Sequence, residues 1–140
     1  TKRIKGKELL TFIPAQILGC LLGVMLANVF FEHSIIELST KNRDGFHIFL
    51  SEIVATFGLI FIIFATLKDG KTTVAACVAT YISAGYWFTS STSFANPAVA
   101  IARTFTDSFT GINYLNTPTY IFAELLGAIV AIYIIKRLIK

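Results

Sequence analysis

The chain has 140 residues, 55% of them hydrophobic and only 14% charged, with a mean hydropathy of +0.72 and a net charge of +4. Soluble domains carry about 25% charged residues, so an ordinary water-solvated globule is excluded and lipid is the expected solvent. The positive balance does not point to nucleic acid, because Lys and Arg sit beside apolar runs and not on amphipathic helices with exposed aromatics.

The first apolar run covers 9–31 and follows Lys2, Arg3, Lys5 and Lys7. It is long enough to cross about 30 Å of hydrocarbon as a helix. It is too long for a signal-peptide core, and no small-residue cleavage site follows. Thr1 in place of Met reads as a truncated start. Cys20 in this run and Cys77 further on read as small packing residues. No His or carboxylate stands near either at ligand spacing, so neither a metal nor a cofactor is expected. His33 and His47 flank a polar connection and belong to no recognisable pattern.

Two further runs, 48–67 and 73–88, are predicted spans separated by Lys68 and Lys71, and a fourth covers 120–135 before Lys136, Arg137 and Lys140. The third and fourth are short for spanning. Nine of the twelve basic residues then share one side, which the positive-inside rule makes cytoplasmic. Lys41, Arg43 and Arg103 remain opposite, diluted by Glu32, Glu37, Asp44 and Asp107. Tyr86, Trp87 and Tyr120 fall near the outer headgroups, where amphipathic rings prefer to sit.

The stretch 89–105, TSSTSFANPAVAIARTF, breaks this pattern. Its apolar part is too short to cross and too apolar for an external loop. Asn96 is a strong N-cap type and Pro97 suits the first helical position, where a missing N–H costs nothing. A helix of two to three turns over 97–106 is predicted, entered from a Ser/Thr loop between two spans. That reads as a re-entrant half-helix, tolerated only where protein buries it or a wet cavity receives it.

A faint internal repeat is also present. Ala15-Gln16-Ile17-Leu18-Gly19 matches Ala123-Glu124-Leu125-Leu126-Gly127, with small residues continuing at Gly23 and Ala27 and at Ala131. Such stripes let helix backbones approach closely. Copies starting from opposite faces of the membrane are the mark of an inverted repeat.

Asn96-Pro97-Ala98 before the last span resembles the NPA motif of the major intrinsic proteins, the aquaporins and aquaglyceroporins. Glu52-x-x-x-Thr56-Phe57 is similar to the start of that family's fourth helix, Ala15-Gln16-x-x-Gly19 to its third, and Ala123-Glu124-x-x-Gly127 to its sixth. The resemblance implies an all-α membrane protein with helices three to six and one re-entrant half-helix. The first two helices and the other NPA are absent, so a C-terminal fragment with an incomplete inverted repeat is expected. It further implies a passive channel for small neutral solutes, multi-pass in a bacterial inner membrane and assembled as a homotetramer.

A helix starting at mid-bilayer points its unsatisfied N–H groups and partial positive charge there. That field disfavours cations and protons and spares neutral hydroxylated solutes. The Asn96 amide can offer donors, and the carbonyls of Ser91, Thr92, Ser93, Phe94 and Ala95 can offer acceptors. The alternative is Asn96 as a structural cap alone. Glu52 is costly in a span unless partnered. The resemblance makes it an acceptor for loop N–H groups, whereas an interfacial carboxylate reaching the outer face is the other reading. No role follows for Glu124.

In most of the family an Arg follows the second NPA and narrows the pore; here Val99 occupies that place. Carrying over the other filter positions by resemblance gives Ser93 and Ala84. Three small residues imply a wide, weakly polar constriction suited to glycerol or neutral metalloid hydroxides such as arsenous acid, as in a branch associated with arsenic resistance. Arg103, one turn beyond Val99 on the same face, either lines the outer vestibule or pairs with Asp107. The competing classes are a secondary transporter with a broken helix and a truncated, non-conducting membrane protein. No Ser/His/Asp set, metal cluster or phosphate loop suggests an enzyme.

Overall fold

The computed structural model describes residues 6–138. Lys2, Arg3, Lys5 and Lys140 of the basic flanks lie outside the described residues. Five α-helices follow in order, with no strand among the described residues: α1 Gly6–Phe30, α2 Phe46–Thr66, α3 Lys71–Phe88, α4 Pro97–Ala102 and α5 Thr117–Leu138. A 3-10 turn, Arg103–Phe105, extends α4. The protein is all-helical, and three helices, α1, α2 and α5, are long and apolar enough to cross a membrane.

The third expected span, 73–88, corresponds to α3, which falls short of that standard in apolarity. Its 18 residues rise about 27 Å, and Lys71, Thr72, Thr73, Thr80 and Ser83 dilute its apolar content. The expected half-helix 97–106 is α-helical only through Ala102 and then tightens. There the Thr104 hydroxyl donates to the Ile101 carbonyl at 2.7 Å, and Thr106 is already extended.

The chain forms two compact units. One comprises the described residues up to Asn42 together with Ala98–Thr117. Here α1 is exposed along most of its length, as an apolar helix facing lipid would be, and buries Val24 and Asn28. Asn28 ends the helix productively. Its Nδ2 donates to the Ile35 carbonyl at 3.2 Å and the Phe105 carbonyl at 3.0 Å, tying the turn after α1 to the 3-10 turn. The segment that follows is pinned alongside: Ser39 N–H reaches the Thr104 carbonyl at 3.0 Å, and Asn113 N–H reaches the Lys41 carbonyl at 2.8 Å.

The second unit comprises Arg43–Pro97 and the described residues from Pro118. α2 and α3 each begin after a glycine held at positive φ, Gly45 at 101° and Gly70 at 97°, which other residues rarely adopt. Tyr81 of α3 donates its hydroxyl to the Ala55 carbonyl at 3.0 Å, over Gly58 of α2. α5 packs on α2 through Gly127, whose absent side chain leaves room for the Ile53 carbonyl. Phe49 and Phe122 stack at 6.1 Å nearby.

Candidate functional site

The loop between α3 and α4 lies in the second unit up to Pro97, and it is buried although irregular. Ser91 is 0% exposed, and Thr92, Ser93, Phe94 and Ala95 are all below a tenth. Thr92, Ser93 and Ala95 hold φ values of 65°, 53° and 49°. Left-handed backbone costs a non-glycine residue about 1–3 kcal/mol and persists only where neighbours enforce it. The enforcing contacts come from both sides of the loop.

At its start, the Thr89 hydroxyl closes α3 on the Gly85 carbonyl at 2.5 Å. Ser90 N–H donates to Ser51 Oγ at 3.0 Å. At its end, Ala95 N–H donates to the Glu52 carboxylate, and Asn96 N–H donates to Glu124 Oε1 at 3.1 Å. Both carboxylates are buried, Glu52 0% and Glu124 1% exposed. Buried carboxylates are tolerated when hydrogen-bonded, and here they replace a helix or strand as acceptor for the loop's backbone. Glu124 Oε2 has no partner among the described residues.

The middle of the loop is held by a cation. Arg43 Nη1 donates to the Ser91 carbonyl at 3.3 Å and to Thr92 Oγ1 at 3.1 Å. Thr92 Oγ1 donates to that same carbonyl at 2.6 Å, and the Tyr120 hydroxyl approaches it at 3.4 Å. The Ser91 carbonyl, expected to face a solute, is therefore already spoken for. Phe94 packs its ring against Tyr120 at 5.0 Å.

Of the expected filter residues, Ala84 and Ser93 belong to the second unit and Val99 to the first. Ser93 is buried against Gly85, where an added Cβ would come within 2.5 Å of its hydroxyl. Ala84 is exposed and lines a cavity of about 500 Å³ with Tyr81, Cys77 and Phe61; Ser93 does not line it. Ala98 is buried in the other unit. Val99 and Arg103 share a cavity of about 210 Å³ there, with Gly23, Val24 and Ala27 of α1. Arg103 also lines a larger one, about 340 Å³, with Asn28, His33 and Thr106.

The Asp107 carboxylate accepts the Thr40 N–H at 2.9 Å and the hydroxyls of Thr40 and Ser39. Those bonds, the Thr40 N–H foremost, hold it below the usual aspartate range, and the cation that contributes is Lys41. The sequence carried no sign of what Arg43 and Tyr120 do at this loop. A carboxylate in an apolar helix was the one available signal for Glu124.

No protein-family model matches the chain, and no solved structure matches it. Among curated proteins it is 41% identical over 138 residues, 99% of its length, to aquaglyceroporin AqpS of Rhizobium meliloti (strain 1021). The chain spans 59% of that relative's length.

Proposed function

The chain belongs to the major intrinsic protein family, and from that premise we propose that it supplies the greater part of a passive channel for small neutral solutes. The solutes are water, glycerol and neutral metalloid hydroxides such as arsenous acid, and the setting is a bacterial inner membrane with both ends of this chain cytoplasmic. A homotetramer is the expected assembly. One observation carries the reading: a buried, irregular loop leads through Asn96-Pro97 into a helix of six residues, flanked in sequence by longer helices. Such backbone at membrane depth serves a cavity or is enclosed by protein.

The loop presents hydroxyls, amides and carbonyls, which can replace the water shell of an uncharged solute. Val99 in place of an arginine leaves room for solutes larger than water. Asn96, Pro97 and Ala98 form the pore motif, and Ala84, Ser93 and Val99 its constriction.

One observation favours a second reading, a coupled transporter. Glu124 carries a buried oxygen with no partner among the described residues, and a proton or small cation could occupy it during transport. Proteoliposomes made from the complete reading frame separate the two. Radiolabelled glycerol or arsenous acid entering down its own gradient, with no ion gradient imposed, supports the channel. Uptake that needs an imposed proton or sodium gradient supports the transporter, and no solute movement under either condition sinks both.

A further inference from the structure

The loop ahead of α4 is backed by two carboxylates and carries no basic residue of its own from Thr89 to Ala102. Glu52 and Glu124 are buried and bind consecutive backbone N–H groups. Any negative charge that they carry is felt strongly at the loop, because the surroundings are of low dielectric. A field of that sign attracts cations, the opposite of what a conduit for neutral solutes needs. Within the same unit, Arg43 reaches the loop from 48 residues upstream and seats its guanidinium on Ser91 and Thr92. Its charge also acts on Glu52 and on Tyr120.

The geometry points to Arg43 as the specificity-determining counter-charge of this loop: it fixes the Ser91–Thr92 backbone and offsets Glu52, so that cations and protons are refused. The inference rests on the channel reading above. It assigns the task to a residue that enters from the α1–α2 connection, outside the Asn96-Pro97-Ala98 motif. Charge and hydrogen bonding are separable here. Gln keeps donors and drops the charge, Lys keeps the charge and loses the planar fork, and Ala loses both.

The test uses the complete reading frame in liposomes, with glycerol swelling and a pH-sensitive dye reporting proton leak. Arg43→Gln is expected to raise the ratio of proton leak to glycerol flux by about tenfold, the effect of a 1.4 kcal/mol change in barrier. Arg43→Lys is expected to stay near wild type. Adding Glu52→Gln to Arg43→Gln is expected to bring the ratio back down, a rescue that a purely structural role does not give. Exposed Lys68→Gln is the control and changes neither flux. Amide exchange over 92–96 rises by about tenfold in Arg43→Ala, as expected for losing a charge-assisted hydrogen bond.

Wild-type solute flux with an unaltered leak ratio in Arg43→Gln overturns the counter-charge alone. Absence of wild-type solute flux overturns the channel reading and the counter-charge together. Unchanged exchange in Arg43→Ala overturns the positioning role in either case.

Discussion

Glu52 and Glu124 stand on different helices, α2 and α5, yet they accept the N–H groups of consecutive loop residues, Ala95 and Asn96. The entry to α4 is thereby clamped by two elements that are far apart in the chain. A buried N–H has no water to turn to, so each carboxyl group answers a backbone demand that the loop cannot meet itself.

Glu124→Ala is expected to leave the buried Asn96 N–H without an acceptor and to destabilise the protein by about 1–3 kcal/mol. Glu124→Gln keeps an acceptor oxygen and is expected to cost less. Thermal unfolding in detergent, with amide exchange at Asn96, reads both. Equal losses in the two variants would argue against the carboxylate's role as acceptor.

The two halves of the internal repeat should respond oppositely to the same substitution. A Cβ on Gly127 would sit 2.5 Å from the Ile53 carbonyl and 3.1 Å from Thr56 Cβ. Backbone cannot yield there, so Gly127→Ala is expected to cost about 1–3 kcal/mol. Gly19 faces open space, and Gly19→Ala in the 140-residue chain should be neutral or gain up to about 1 kcal/mol from helix propensity. Melting curves of the two variants, run side by side, provide the check.

Val99→Arg places a long cation in the small cavity that Val99 shares with Arg103. Glycerol and arsenous acid flux should fall more than water flux. Stopped-flow swelling that shows equal loss for all three solutes contradicts the proposed constriction.

The Thr40 amide offers a pH test outside the membrane spans. Asp107 binds it as a carboxylate, and its lowered pKa means that the ionised form is favoured in the folded state. The contribution is therefore complete above the ordinary aspartate range. It is lost as pH falls through the lowered value. Exchange at the Thr40 N–H should stay slow down to mildly acidic pH and quicken only below it. Asp107→Asn should abolish that dependence; a pH profile unchanged in the variant counts against the assignment. The carboxylate is exposed, so global stability should hardly move.

Much of the framework could be read from the amino acids because it depends on local chemistry. Apolar runs gave α1, α2 and α5 to within a few residues, and Asn96-Pro97 marked where α4 begins. The 3-10 tail was not visible, since a threonine side chain bonding back to Ile101 decides it. α3 was read as a span from its apolar centre, and its polar N-terminal turn sets it apart from the other three. The loop's supports were the hardest to see. Arg43 meets Ser91 across 48 positions and Asp107 meets Thr40 across 67. No periodicity encodes such meetings, and an isolated arginine near a span reads first as a topology signal.

The bond from Asn96 to Glu124 also bears on biogenesis. The loop is synthesised 28 residues ahead of its acceptor, so the Asn96 amide lacks that partner until α5 has been made. The clamp on the loop is completed only with α5 in place. A nascent chain cut off before α5 would keep that segment unlatched, available to chaperones and to the proteases that clear unfinished membrane proteins.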